Sequence, residues 1–362
     1  MVAIKGHNVR LLADDFWEQH PPRRLLFIKP SALGDVVQAL PLARAAKERW
    51  PDVTIGWVIA AGLRRVVQLS PWIDEIYEFH RGAGLWSFLK LCRELRSRDF
   101  DSVIDLQGLL RTGVMTLSTG SANRIGLQTS REGSSWAYHA MVDQTSRQIP
   151  AHARYWKMAE AWGVSTRYTT PSIVVPQSDQ QLVESWLESL PRPLIGIQPG
   201  TRWVTKSWPV ESFAQVAMEL AEQTQGSLII LGAPDETQLT GKCSELIGSV
   251  NPQVKMIDLG GKSSLPQLAS LLSRLNVLVC NDSGPMHLAA EMQTPVTAVF
   301  TCTDPVQSGP PGSIHQLIST KLPCRAGYHK HCPMTGDNHL ACFRDVTVQQ
   351  VASAAMKILS SH

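Results

Sequence analysis

The chain is short of several things, and each shortage excludes something. No apolar stretch approaches the length of about 18 residues that a membrane-spanning helix needs, so no spanning helix is expected. The opening residues 1–22, "MVAIKGHNVRLLADDFWEQHPP", have no apolar signal-peptide core, which points to the cytoplasm. Strong charge of one sign is missing too. The formal net charge is only +3, too small to argue for a nucleic-acid partner. Neither G-x-G-x-x-G nor G-x-x-x-x-G-K-[ST] occurs, which speaks against a nicotinamide dehydrogenase and a P-loop enzyme. Cysteine is sparse and odd in number, 7 in all. Cys92, Cys243, Cys280 and Cys302 lie in apolar or strand-like segments and read as reduced core residues. There is no internal repeat and no low-complexity tract.

What is present suits two ordinary domains. A chain of 362 residues with 43% hydrophobic and 18% charged residues can bury two cores and has no disordered character. Strand-like runs alternate with helix-like segments in both halves. In the first half, strands are expected over 24–28, 53–59 and 102–106, with helices near 35–49, 61–69 and 86–97. Residues 166–193, with Pro171, Pro176, Pro191 and Pro193 around a short amphipathic helix, read as a junction. The alternation then restarts. Strands are expected at 194–200, 227–234, 254–259, 276–284 and 296–300, and helices at 210–224, 236–247, 264–274 and 285–293. A last amphipathic helix is expected over 346–360. Strand, helix, strand at this spacing means parallel sheets with right-handed crossovers. The expected fold class is α/β, with two doubly wound sheets and ligands at the carboxyl ends of their strands.

Three stretches carry chemistry. In "NVLVCNDSGPMHLAAE", 276–291, a strand runs into a turn, and Gly284–Pro285 opens a helix. Free N–H groups and the helix dipole suit a diphosphate there; a plain cap by Asp282 or Ser283 is equally open. In "IQPGTRWVTKSWP", 197–209, a strand ends at a glycine followed by Thr201, Arg202 and Lys206. That loop could clamp a diphosphate, or Lys206 could be a solvated lysine. Glu236, after the next strand, could accept hydrogen bonds from ribose or serve as a first-turn helix acid. In the first half, Gln107–Gly108 follow a strand, and Arg111, Arg124 and Arg131 are spaced to serve one wall. Arg81, Lys90, Arg93, Arg96 and Arg98 add a basic face, either solvated or aimed at a polyanion.

Near the start, "IKPSALGDVVQALP" delivers Gly34 and Asp35 from a buried strand to a helix start. The residues alone leave Asp35 as a dipole-stabilising acid. Together, "KPSALGDVVQALP", "DLQGLLRT" and "NDSGPMHLAAE…TPVTAVFTCTDP" resemble the ADP-heptose:lipopolysaccharide heptosyltransferases of glycosyltransferase family 9, over roughly residues 23–358. The resemblance implies a GT-B fold, with acceptor on the N-terminal Rossmann-like domain and nucleotide sugar on the C-terminal one. It implies inversion at the anomeric carbon, with no metal or other cofactor. Asp35 then corresponds to the general base and Lys206 to the lysine that contacts the donor diphosphate. Thr201, Arg202, Glu236, Lys262, Ser263, Asp282, Ser283, Gly284 and His287 become candidate donor contacts, and Ser31, Gly34, Gln107, Arg111, Arg124 and Arg131 candidate acceptor contacts. The implied partners are ADP-heptose and an anionic lipid-linked saccharide, met in the cytoplasm or at the cytoplasmic face of the inner membrane.

The expected domains are an extension over 1–22 with no assigned role, an acceptor domain over 23–175 and a linker over 176–193. A donor domain follows over 194–345. The terminal segment 346–362 is free to pack back on the first domain. Another nucleotide sugar on the same fold, and a non-catalytic sugar-nucleotide binder, are the competing readings. The tail "LPCRAGYHKHCPMTGDNHLACFRDV" departs from the pattern. Cys324, Cys332 and Cys342, with a histidine, could hold zinc or iron, but their spacing does not match a C-x2-C knuckle, and reduced structural thiols are the leading reading.

Overall fold

A computed structural model describes residues 10–164 and 171–361. The chain divides into two compact units, Met1–Val174 and Val175–His362.

The first unit is built on a seven-stranded parallel sheet: β1 (Arg10–Leu11), β2 (Arg24–Ile28), β3 (Thr54–Ala60), β4 (Glu75–Phe79), β5 (Ser102–Asp105), β6 (Asn123–Leu127) and β7 (Ala140–Val142). The strand order is β1-β7-β6-β5-β2-β3-β4. Strand β2 is central, so Leu25, Leu26, Phe27 and Ile28 are fully buried, the uniform apolar run expected where helices cover both faces. Leu26 lies in register with Gly56 on one side and Val103 on the other. From β2 the chain winds outward through β3 and β4, then resumes on the opposite flank with β5. The sheet's switch point therefore lies between β2 and β5, where ligands collect in open α/β sheets.

Residues 1–22 have no assigned role in the sequence reading, and the part of them that is described corrects this. Strand β1 pairs with β7, Arg10 opposite Ala140. Trp17 is buried, against Trp50 at 5.7 Å and Trp162 at 6.3 Å between ring centroids. This segment completes the first unit. The helix expected over 35–49 is two helices, Leu33–Ala39 and Pro41–Arg49. Pro41 lacks the N–H that would continue the first and opens the second, as its position predicts.

The second unit repeats the plan with β8 (Leu194–Gln198), β9 (Ser227–Ile230), β10 (Met256–Asp258), β11 (Val277–Asn281), β12 (Val296–Phe300) and β13 (Gln316–Ser319). All are parallel, in the order β10-β9-β8-β11-β12-β13. Here the switch point lies between β8 and β11. The helix Gln177–Leu187 of the expected linker packs on Leu265–Leu272 and so belongs to this unit. The last helix, Val348–Leu359, packs within the second unit. Val351, Ala352, Ala355 and Ile358 join a core with Phe213, Val216 and Leu220 of the helix Val210–Thr224. That apolar stripe at 3.6-residue spacing needs a partner, and the helix beside it in space supplies one. No helix among the described residues is long and apolar enough to cross a membrane.

Candidate active site

At the first unit's switch point the residue that follows β2 is Lys29, only 3% exposed. A buried ammonium needs a partner. Lys29 Nζ lies 3.5 Å from Asp35 Oδ2 and 5.3 Å from the centroid of the Tyr155 ring. Burial opposes the charge on Lys29, but Asp35, Tyr155 and Asp105 more than offset it and hold its pKa above the usual lysine value. Asp35 stands in the first turn of Leu33–Ala39, where the dipole favours a carboxylate. It accepts from the Ala32 N–H at 3.4 Å and from Tyr155 Oη at 3.3 Å. Tyr155 comes from the helix Ala151–Ala161, and burial, then Asp35, raises its phenol to about 12. The Asp35 side chain stays 39% exposed, against 4% for Lys29. The result is a reachable carboxylate, supported from behind by a buried cation.

Around it the loops after β5 and β6 are stitched together. Asp105, at the end of β5, is wholly buried. It accepts the Gln107 and Gly108 N–H groups at 2.8 and 3.0 Å and the Tyr138 hydroxyl at 2.8 Å. Burial pushes its carboxyl pKa up, against these bonds. Gly108 has φ +65°, and a Cβ there would meet the Ser130 backbone at 2.9 Å, so only glycine allows this approach. Through it, the Arg131 N–H reaches the Gly108 carbonyl at 2.9 Å. Arg111 opens the adjacent helix Leu110–Ser118 over the Phe79 ring. Arg111 and Arg131 are thus brought to one neighbourhood, both exposed. Arg81 donates to Ser31 Oγ at 2.8 Å and so joins the loop that carries Gly34 and Asp35. Gln107 Oε1 is buried with no hydrogen-bond partner among the described residues.

Arg124 is a correction. It lies at the start of β6, away from the strand's carboxyl end, and its guanidinium is committed to the Ala137 and Ser121 carbonyls at 2.8 and 2.6 Å and to His139. It closes a local turn rather than presenting itself to an acceptor.

At the second unit's switch point, Lys206 Nζ donates to Asp282 Oδ2 at 2.5 Å, with side-chain exposures of 17% and 6%. Thr303 Oγ1 donates to the same oxygen at 2.6 Å, and Thr201 Oγ1 to the Asp282 carbonyl at 3.4 Å. The loop bearing Lys206 is pinned at several points. Asn281 accepts the Trp208 N–H and donates to the Pro199 carbonyl. Thr301 holds the Thr205 carbonyl, and Thr205 donates to the His329 carbonyl. Lys206 and Lys330 flank the Trp203 ring at 4.8 and 5.8 Å, and Arg202 lines the surface pocket beside it. Ser283 leads into the helix Gly284–Glu291 with Pro285 in its first turn, so its leading N–H groups are available to an anion. Ser283 Oγ is enclosed without a hydrogen-bond partner among the described residues. His287, expected as a donor contact, is buried on this helix.

Glu236 follows β9. Its Oε2 accepts from the Ala233 N–H at 2.9 Å and from Gln198 Nε2 at 3.2 Å. A Cβ on Gly200 would sit 2.2 Å from that carboxylate, so a larger residue there would have to displace the Glu236 side chain. The Gly261 N–H donates to the Gly232 carbonyl at 2.9 Å, which sets the Lys262–Ser263 loop beside the Glu236 loop. Lys262 Nζ itself bonds the Asp258 carbonyl.

All seven cysteines are free thiols. Burial, then the neighbouring thiols of Cys324, Cys332 and Cys302, pushes Cys342 up to about 11. Among the described residues no group of three or more His, Cys, Asp or Glu side chains is arranged to hold a metal.

Sequence reasoning overlooked Lys29, Tyr155, Asn281 and Gln198. Lys29 was legible as a charged residue ending a buried strand; nothing in the sequence around Tyr155 links it to Asp35.

Comparison with known proteins agrees with this geometry. Residues 88–337 match the family described as Glycosyltransferase family 9 (heptosyltransferase). Lipopolysaccharide heptosyltransferase 1 of Pseudomonas aeruginosa is 26% identical over 366 residues, covering 91% of this chain and 96% of its own. The crystal structure of a family 9 glycosyltransferase from Veillonella parvula superposes with a TM-score of 0.77 at 23% identity, over 94% of this chain and 98% of that one. The E. coli heptosyltransferase WaaC with ADP gives 0.67 at 22% identity, over 92% and 99%. The likeness in structure establishes the shared two-sheet GT-B fold.

Proposed function

The chain belongs to glycosyltransferase family 9, and on that footing we propose that it transfers heptose from ADP-heptose to the inner core of lipopolysaccharide. Asp35 takes the proton of an acceptor hydroxyl. The acceptor oxygen bonds to the anomeric carbon from the face opposite the nucleotide, and the bond from that carbon to the diphosphate oxygen breaks. The electron pair leaves with ADP. Lys206 and the N–H groups opening Gly284–Glu291 meet the charge that develops there, so the displacement inverts the anomeric carbon and uses no metal. Glu236 binds the ribose hydroxyls. Arg111, Arg131 and Arg81 grip the anionic acceptor, a lipid-linked saccharide met at the cytoplasmic face of the inner membrane.

One observation carries the reading. Each sheet's switch point holds a reachable charged group of the sign its half of the reaction needs: a carboxylate for the proton, an ammonium for the diphosphate. ADP enters this proposal because a related structure is described with ADP bound.

Asp35→Asn tests it. Turnover of ADP-heptose should fall about 10²- to 10⁴-fold, while calorimetric affinity for the nucleotide sugar stays within about twofold. In a thermal-shift series, ADP-sugars should raise the melting temperature and UDP-sugars should not. Retained turnover in Asp35→Asn, or stabilisation by UDP-sugars alone, would overturn the assignment.

A further inference from the structure

Asp35 is held by a device that the reaction scheme does not require. The group behind it is a lysine almost removed from water, which the Asp35 carboxylate and an aromatic face retain, with Asp105 adding a further negative charge. The tyrosine that supplies the face also donates to the carboxylate's other oxygen, Oδ1. Oδ2 is taken by Lys29 and the Ala32 N–H. The carboxylate is thereby fixed in rotation and surrounded by a cation and donors, all of which favour its ionised form.

We propose that Lys29 and Tyr155 are positioning residues that set the pH at which Asp35 becomes a working base. This rests on the reading of Asp35 as the base. A carboxylate that must accept a proton has to be empty beforehand, and a buried cation beside it keeps it empty to lower pH. Because Lys29 is buried, bulk salt screens the pair less than a surface pair. Besides Arg81, three other ionisable groups stand in this neighbourhood. Asp105 faces Lys29 from the end of β5, the charge of Arg154 reaches Tyr155, and His152 lies one turn before Tyr155 on the same helix. None of the three is changed in the test variants. Arg81 reaches the same loop through Ser31.

The test is the pH dependence of kcat/KM with ADP-heptose and an anionic lipid-linked saccharide acceptor, for Lys29→Met, Lys29→Arg and Tyr155→Phe. Methionine fills the buried space without charge. Its acid limb should move up by about one pH unit, with turnover recovering at high pH and donor affinity unchanged. Lys29→Arg should return the limb most of the way. Tyr155→Phe removes one hydroxyl and should shift the limb in the same direction by less. An acid limb unmoved in both Lys29→Met and Tyr155→Phe would overturn the inference. Should Lys29→Met fail to fold by circular dichroism, Tyr155→Phe decides alone. The Asp35→Asn result separates the two levels: if that variant keeps its turnover, the base assignment fails; if it loses turnover while the limbs stay put, only the positioning role fails.

Discussion

The two switch points are built as opposites. In the first unit the buried member of the ion pair is the lysine and the reachable member the carboxylate, 4% against 39% exposed. In the second the buried member is the carboxylate and the reachable one the lysine, 6% against 17%. The buried partner in each case follows a strand at the sheet's centre, and the reachable partner stands on a loop or first helical turn. The more exposed charge of each pair is thus supported by its opposite, placed where water screens it least. Asp282 also accepts from Thr303 at 2.6 Å, and Asp35 from the Ala32 N–H and the Tyr155 hydroxyl at 3.4 and 3.3 Å.

The sharpest way to break this comparison is to neutralise the second support. Asp282→Asn keeps the shape and removes the charge that aims Lys206. Turnover should fall about 10²-fold with a smaller loss in ADP affinity; steady-state kinetics beside calorimetry would show it, and unchanged kcat would mean that Lys206 needs no aiming. A smaller effect is expected from Gly200→Ala. The added Cβ displaces the Glu236 carboxylate, so ADP affinity should drop about tenfold, from the loss of one or two hydrogen bonds to a charged group, with the Asp35 pH limb untouched. ADP affinity equal to that of the parent would place the ribose elsewhere.

The smallest effect concerns stability. Burial, then the charge of His287, holds His315 down at about 4. Its Nδ1 accepts the Val296 N–H and its Nε2 lies 3.1 Å from the Pro311 carbonyl, an arrangement that suits the neutral ring. The folded pKa is below the unfolded value of about 6.5, so this stability is present above that value and is lost as pH falls towards about 4. His315→Asn should flatten that part of the curve by about 1 kcal/mol, the loss being limited by the ring's partial exposure. Urea melts at pH 7.5 and 4.5 would measure it; parallel slopes for variant and parent would remove His315 from the account.

Much of the fold was legible because central strands are uniformly apolar and end in small residues. The strands found as β2, β3, β5, β8, β9, β10, β11 and β12 all fell inside or within a residue of the expected runs. The strands that were not anticipated are flank strands with weaker patterns. In β4, "EIYEF" is only partly buried, and β6 begins with Asn123 and Arg124. Pairing partners, rather than composition, make them strands. The site divides in the same way. Lys206, Asp282 and Glu236 follow strands or open helices and are candidates by position, whereas Asp35 becomes a candidate base only through the family resemblance. Tyr155 could be found by neither route, because its meeting with Asp35 spans 120 positions in the chain and depends on how Ala151–Ala161 packs against Leu33–Ala39. Arg124 misled for the converse reason: its spacing suited an anion, but its partners are three residues and about a dozen residues away in sequence.

The pairing of Arg10–Leu11 with β7 and the seat of Trp17 have a practical consequence for anyone cutting or tagging this protein. Starting the chain at residue 23 would uncover unpaired N–H and C=O groups along β7 and leave an indole-sized hole beside Trp50 and Trp162. Naked strand borders recruit other chains, and an unfilled aromatic socket costs about 3–5 kcal/mol. Such a shortened form would clump before it told anyone about catalysis.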